Sequence, residues 1–355
     1  MRIAVIGGGV VGVCTAYFLA EAGHDVAVVE RFGNVAQEAS FGNLDLMGPS
    51  AIYPWAMPGL ARRVARMLFR PESPMAFSAK FEPGMWAWLR RMLSESALPR
   101  FLENQQRLHA LASYSSDMMG ELALSRELDF QQTKGVLLMF RNAAETAQAK
   151  PLIETLAQQG VSYGVLDRDT ARHIEPALSE QTPFDSALHL PDDSAGNCPL
   201  FVRQLRKLAH NKGVEFRFNS TVDAIRAQPG GVTLRIGNDD YGVDAVVVAA
   251  GAGSARLLKP LGIHLPSYPV KVYSASVSIQ EYELAPQLAL FDTSYRVALA
   301  RLGQRLRLSG CAELGSSNVK LHQKAANTLV KVGDDWFPNA ANYRTATFWC
   351  GPTAM

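Results

Sequence analysis

Arg2-Ile3-Ala4-Val5-Ile6-Gly7-Gly8-Gly9-Val10-Val11-Gly12, near the start of the chain, is the stretch on which the fold turns. Ile3 to Ile6 is short, wholly apolar and rich in β-branched residues, like strands buried on both faces of a parallel sheet. Gly7, Gly9 and Gly12 then spell G-x-G-x-x-G. The pattern predicts a helix from Val10 to about Ala22, ended by Gly23. A second apolar strand is expected from Asp25 to Val29, running into Glu30. In such a βαβ unit Gly7 permits the tight turn, Gly9 lets the backbone approach a pyrophosphate, and Gly12 lets the helix lie close to the strand. The helix start, around Gly8, Val10 and Val11, offers N–H groups and a positive dipole end to phosphates. Glu30 can accept hydrogen bonds from two ribose hydroxyls, and its charge repels a 2′-phosphate, which selects against NADP.

An acid about 20 residues beyond the glycines, at the end of a second strand, is the context that separates a dinucleotide site from a chance glycine turn. The unit by itself fits FAD and NAD equally, so the choice rests on the chain beyond Glu30. NAD enzymes normally continue with alternating strands and helices of the same sheet. Here Arg31 leads into a small polar stretch, Ala39-Ser40-Phe41-Gly42-Asn43, and the pattern is then abandoned for a long insertion. It resumes with a helix from Pro199 to Asn211, a strand from Val214 to Phe218 and a short strand at Val222. The apolar run from Asp244 to Ala250 ends in Gly251-Ala252-Gly253-Ser254. Small residues there let a strand end approach a cofactor closely; a plain glycine turn is the alternative. A sheet split this way favours FAD and counts against a nicotinamide-dependent reductase.

Bulk properties narrow the class further. The chain of 355 residues is long enough for two domains, and its 48% apolar and 19% charged residues are those of an ordinary globular protein. A net charge of +2 leaves no basic excess for nucleic acid. Cys14, Cys198, Cys311 and Cys350 are scattered, with no metal or redox spacing, so reduced thiols in a cytoplasmic protein are expected and no metal site. The apolar run after Arg2 breaks at once into glycines, unlike a signal peptide, and no stretch approaches the roughly 20 apolar residues of a membrane span. Two basic-aromatic segments, Leu60 to Arg70 and Met85 to Leu93, could rest on an anionic membrane surface, at the inner face of the plasma membrane. Ordinary helices packed on their apolar sides are the plainer reading.

The chain resembles the D-amino-acid oxidase superfamily, and more narrowly the bacterial D-amino-acid dehydrogenase catalytic subunit. Besides the opening motif, the likeness runs through Tyr53-Pro54-Trp55-Ala56-Met57-Pro58-Gly59, Leu190-Pro191-Asp192-Asp193 and Gly213-Val214-Glu215-Phe216-Arg217-Phe218-Asn219. It continues through Tyr268-Pro269-Val270-Lys271-Val272-Tyr273-Ser274 and Ala346-Thr347-Phe348-Trp349. The fold so implied is α/β: a Rossmann-type FAD-binding domain of the glutathione-reductase type, interleaved with a substrate domain built on a mixed or antiparallel sheet. The expected bounds are 1–48, 190–265 and 346–355 for the FAD domain, and 49–189 and 266–345 for the substrate domain. By resemblance, Gly7, Gly8, Gly9, Val10, Val11 and Gly12 hold the pyrophosphate and Glu30 the ribose, with Arg31 next to it. Ser40 and Asn43 lie beside the flavin, Val222 touches the adenine through its backbone, and Gly251 closes over the cofactor.

The resemblance also implies the reaction, removal of hydride from the α-carbon of a D-amino acid, giving a 2-oxo acid and ammonia. A quinone or the respiratory chain would then take the electrons. The flavin carries the hard chemistry, and the protein must supply a cation for the substrate carboxylate, best an arginine. Arg301, Arg305 and Arg307, at alternating strand-like positions, are the candidates, with Arg301 the choice; solvated surface charge is the plain alternative. Tyr53, Tyr273 and Tyr295 could offer a hydroxyl or be core residues. In the family, an arginine that grips the substrate carboxylate follows the Trp349-Cys350-Gly351 position, and a C-terminal tail packs under the flavin. Here Pro352-Thr353-Ala354-Met355 stand instead. The expectation is therefore of a chain that stops short, and an FAD-binding but catalytically silent protein stays open as the alternative.

Overall fold

The computed structural model describes residues 1–50, 54–68, 74–77, 83–315 and 319–355. The chain forms two compact units: Met1–Asn43, Cys198–Val270 and Gly351–Met355 in the first, Leu44–Asn197 and Lys271–Cys350 in the second. Each unit takes non-contiguous stretches of chain, as the interrupted sheet pattern predicts.

Unit 1 is built on β1 (Arg2–Ile6), α1 (Val10–Glu21) and β2 (Asp25–Val29). β1 is flanked by β2 and by the strand Ala245–Val248, and Glu215–Arg217 lies outside β2; all pairings are parallel. A central parallel strand is covered on both faces and so must be apolar throughout. Ile3, Ala4, Val5 and Ile6 are all buried. Alternation sends Ala4 and Ile6 to one face, where they pack with Val29, Val222, Ile225, Leu234 and Leu257. That side is roofed by the antiparallel strands Val222–Gln228, Gly231–Ile236 and Asp239–Val243. On the helical side, α1 lies against the helix Cys198–Asn211.

Unit 2 is a larger mixed sheet. Its strand order is Thr347–Ala354, Pro269–Ser278, Arg305–Leu314, Val297–Leu302, Ala289–Asp292, Thr133–Phe140, Ser186–Ala195, Leu46–Met47. Most neighbours are antiparallel, whereas Ala289–Asp292 runs parallel to Thr133–Phe140. Ser186–Ala195 runs through Leu190-Pro191-Asp192-Asp193 with a bulge opposite Gly135. The compact units divide between Asn197 and Cys198. One face of the sheet packs under the helix Gln323–Trp336 through Tyr273, Leu299, Leu306, Leu308 and Trp336. The other packs under Ala143–Gln158 through Leu138, Leu188, Ala298 and Ala300. The basic-aromatic segments form the helices Leu60–Leu68 and Pro83–Glu95, while Phe69 and Arg70 lie outside the described residues. No described helix is long and apolar enough to cross a membrane.

A buried ionic knot ties Gln323–Trp336 to the sheet. Arg141 reaches Asp292 at 2.8 Å and Asp335 at 2.8 Å, and its guanidinium lies over the rings of Tyr295 and Trp336. Asp292, fully buried, also accepts from the Trp336 indole N–H at 2.8 Å and the Tyr295 amide at 3.0 Å. Burial pushes the Asp292 carboxyl up, and Arg141 opposes this. Removing one partner of such a pair strands the other charge, at a cost of about 3–5 kcal/mol. Arg141→Ala is therefore expected to lower the thermal unfolding midpoint clearly. A shift no larger than that of an exposed control such as Arg107→Ala would show the knot to be dispensable.

Candidate functional site

The turn between β1 and α1 in unit 1 is a place where backbone replaces side chain. A Cβ on Gly12 would stand 1.9 Å from the Gly7 carbonyl oxygen, so α1 seats on the strand end only if that side chain is missing. Gly7 itself has φ +111°, and a Cβ there would meet the Ala249 carbonyl at 2.4 Å. The strand end at Ala249 thus closes against the glycine turn, for which its own small side chain leaves room.

Gly9 is the N-cap of α1, but lacking a side chain it offers the helix no cap, and the first turn contains no acidic residue. The positive end of the helix dipole is left for an outside anion. Ser40 is brought to the same point: its hydroxyl oxygen accepts from the Val10 amide at 2.9 Å and lies 3.1 Å from where a Gly9 Cβ would be. Asn43 holds this loop by donating its side-chain amide to the Ser40 carbonyl at 2.8 Å.

Glu30 ends β2 and points back at the glycines. One carboxylate oxygen accepts from the Gly8 amide at 2.5 Å and the other from the Phe32 amide at 2.8 Å. The residue is only 9% exposed, yet each oxygen keeps a lone pair for a second donor. A fixed, buried carboxylate beside a glycine-lined helix N-terminus fits the ribose and diphosphate of a dinucleotide. Gly7, Gly8, Gly9, Val10, Gly12, Glu30, Ser40 and Asn43 thus converge within unit 1. Val11, 64% exposed, stands on the open side of the first turn. Arg31 turns outward to pair with Glu38. The Val222 side chain is sunk in the core, so only its backbone can serve a ligand. Gly251 is exposed with φ +51°. A tie that the sequence did not suggest is Ala36, at φ +56°, whose amide donates to the Gly8 carbonyl at 2.9 Å.

Of the three substrate-side candidates, the two that are described, Tyr273 and Arg301, are each engaged with different partners. Tyr53 lies outside the described residues. Tyr273 is 1% exposed, with its hydroxyl donated to Glu313. Lys271 reaches the same Glu313 oxygen at 3.2 Å, and burial followed by the hydrogen bond to Glu313 pushes the Tyr273 phenol up. Arg301 is half-buried, its guanidinium 4.8 Å from the centre of the Tyr282 ring. Tyr295 lies under Arg141 and Lys331.

The sequence pattern treats Arg301, Arg305 and Arg307 as alternating positions of one strand, and this is corrected by a hairpin turn at Gly303-Gln304. Arg301 pairs with Leu306, on the face under Gln323–Trp336, while Arg307 pairs with Ala300 on the opposite face. There Arg307 is 7% exposed, donates to the Ser274 hydroxyl at 3.2 Å and lies 3.7 Å from Asp45. Burial pushes the Asp45 carboxyl up to about 7, against the pull of Arg307. Among the described residues no cluster of side chains could hold a metal ion.

Comparisons with known proteins give the family and the fold. A family model described as FAD dependent oxidoreductase matches residues 2–355. The chain is 36% identical over 358 residues to D-amino acid dehydrogenase 1 of Mesorhizobium japonicum, covering 100% of this chain and 86% of that protein. It is 38% identical over 360 residues to the D-amino acid dehydrogenase of Bradyrhizobium diazoefficiens, covering 100% and 85%. Among solved structures, glycine oxidase from Geobacillus kaustophilus shares the fold with a TM-score of 0.76 at 20% identity, over 100% of this chain and 83% of that one. L-alpha-glycerophosphate oxidase from Mycoplasma pneumoniae, solved with FAD bound, does so with a TM-score of 0.72 at 17% identity and the same coverage.

The Glu30 carboxylate gives a direct test. Glu30→Gln keeps the shape but loses the charge, and a hydrogen bond to a charged group contributes about 1.5–3 kcal/mol. FAD binding to the apoprotein, measured by flavin fluorescence quenching, is expected to weaken by roughly 10- to 100-fold. An unchanged dissociation constant would remove Glu30 from the site.

Proposed function

The chain belongs to the FAD dependent oxidoreductase family, and on that premise we propose that it oxidises D-amino acids to 2-oxo acids and ammonia. The observation that carries this reading is its identity of more than a third, along its whole length, with relatives named D-amino acid dehydrogenase. When bound, FAD supplies the acceptor for the hydride leaving the substrate α-carbon. The chain's own residues do the holding. Gly7 and Gly12 let α1 seat on the strand end, Gly9 keeps side chain away from the diphosphate, the α1 N-terminus and Ser40 present N–H and O–H groups to it, and Glu30 takes the ribose hydroxyls. Electrons leave to a quinone or another respiratory-chain acceptor, and the protein works in the cytoplasm, in peripheral contact with the inner face of the plasma membrane.

Substrate recognition belongs, in this reading, to the face of the unit 2 sheet that bears Arg307, Ser274 and Ser309. On the opposite face the Tyr273 hydroxyl is given to Glu313 and the Arg301 guanidinium lies against the Tyr282 ring. Arg307 is the cation for the substrate carboxylate, and Asp45 sets its availability: protonated, Asp45 leaves the guanidinium to the substrate; ionised, it competes. Because the folded Asp45 carboxyl titrates near 7 rather than 4, the competition appears as pH rises through neutrality.

Anaerobic titration tests the activity. D-alanine or D-proline should bleach the flavin absorbance of the purified yellow protein and the L-isomers should not; no bleaching by a panel of D-amino acids would end the proposal. The residue assignment has its own test. Arg307→Lys loses bidentate geometry and should raise the KM for a D-amino acid on the order of tenfold, with Arg301→Lys nearly unchanged. KM should rise between pH 6 and 8 in the wild type and far less in Asp45→Asn. The reverse ranking of the two arginine variants would return the role to Arg301.

A further inference from the structure

Unit 2 also contains a cavity of about 380 Å³ for which the reaction above has no use. Its wall is formed by Phe101, Leu102, Leu138, Phe140, Ala149 and Leu152, contributed by the helix Leu98–Ser125, the strand Thr133–Phe140 and the helix Ala143–Gln158. The volume falls in the range of small-molecule sites, and an apolar lining with a few placed polar groups is their usual construction.

Gln105 is the polar group set into this wall. It is 5% exposed, it lines the cavity, and its side-chain amide has no hydrogen-bond partner among the described residues. The amide is open to the cavity and can donate to a ligand there. The other polar groups around the cavity are already engaged or open to solvent. Asn142 caps its helix by accepting from the Glu145 amide, Glu145 accepts from Ser294 and from the Arg141 amide, and Thr155 donates to the Pro151 carbonyl. Gln148 is exposed. Two further lining residues, Leu98 at 58% exposure and Leu102 at 48%, leave apolar surface at the opening. The two charged residues of the lining are engaged as well, Glu145 as above and Arg296 with its guanidinium 5.9 Å from the centre of the Trp55 ring.

We propose that this cavity binds a neutral amphipathic molecule, an apolar ring or chain bearing a carbonyl oxygen that accepts from the Gln105 amide. The apolar body fills the space between the two helices and the strand, and the rim at Leu98 and Leu102 accommodates its extension. Binding here is independent of D-amino-acid oxidation, so either reading can fail alone.

Isothermal titration of the flavin-loaded protein with hexanophenone, and with heptylbenzene, which lacks the carbonyl, tests the proposal. Saturable binding of the ketone is expected, with the hydrocarbon about fivefold weaker, as for one neutral hydrogen bond. Gln105→Leu should bring the two affinities together. Ala149→Phe, which fills the cavity, should abolish both while flavin content and unfolding midpoint stay at wild-type values. Absence of saturable binding to the wild type, equal affinity for the two probes, or ketone binding that persists in Ala149→Phe overturns the proposal.

Discussion

The approach of α1 to β1 governs everything else in unit 1. The Gly7 carbonyl oxygen occupies the place where a Gly12 side chain would stand, so the first turn of the helix sits directly on the end of a buried strand. That seating aims the helix N-terminus at the strand ends, and it brings Glu30, from the neighbouring strand end, within hydrogen-bond reach of the Gly8 amide. A positive helix end and a buried carboxylate side by side suit a ligand that carries anionic phosphates and hydroxyl groups together. Neither an inorganic anion nor a neutral sugar would use both. The selectivity follows from the missing Cβ at Gly12, through geometry alone.

Unit 2 solves a different problem, a wide sheet that must be covered on two faces. Gln323–Trp336 covers one and Ala143–Gln158 the other, and the strands between carry apolar residues in both directions. Polar side chains within such a layer need partners of their own. The Arg141, Asp292 and Trp336 group and the Lys271, Glu313 and Tyr273 group both meet that need. In the second group the Tyr273 hydroxyl is committed to a carboxylate that a buried lysine also holds.

The difference between features legible in the sequence and those hidden from it tracks the range of the interactions. The βαβ unit is specified by residues close in sequence, so α1 ends within a residue of its expected limit and β2 coincides with it. The resemblance puts Ser40 and Asn43 beside the flavin, while the contact of Ser40 with the helix start was not legible, because no local pattern ties a loop to a helix N-terminus. In unit 2, a bulge with Cys311 at φ +57° carries Arg305–Leu314 past Gly310, and Pro191 sits in another bulge within Ser186–Ala195; no local residue pattern marks either. The faces of Arg301 and Arg307 were illegible for a simpler reason. A two-residue hairpin reverses the parity of alternation, so residues six apart in sequence point to opposite sides of the sheet. Gln105 gave no signal, since one amide in a long amphipathic helix marks nothing until its neighbours are placed.

The Asp45 and Arg307 pair is hard to explain as a device for stability. Removing two charges from water costs several kcal/mol each, and a pair 3.7 Å apart recovers that only with excellent geometry and further hydrogen bonds. Here burial outweighs the attraction strongly enough to bring the Asp45 carboxyl up to about 7. Packing alone would be served as well or better by two apolar residues of similar volume, like those that fill the neighbouring strand at Ala298 and Ala300. What apolar residues cannot provide is a cation held in a dry wall with a partner that yields its charge near neutral pH. On the proposed reading of this face, that pairing serves substrate recognition, whereas the Arg141 knot ties a helix to the sheet.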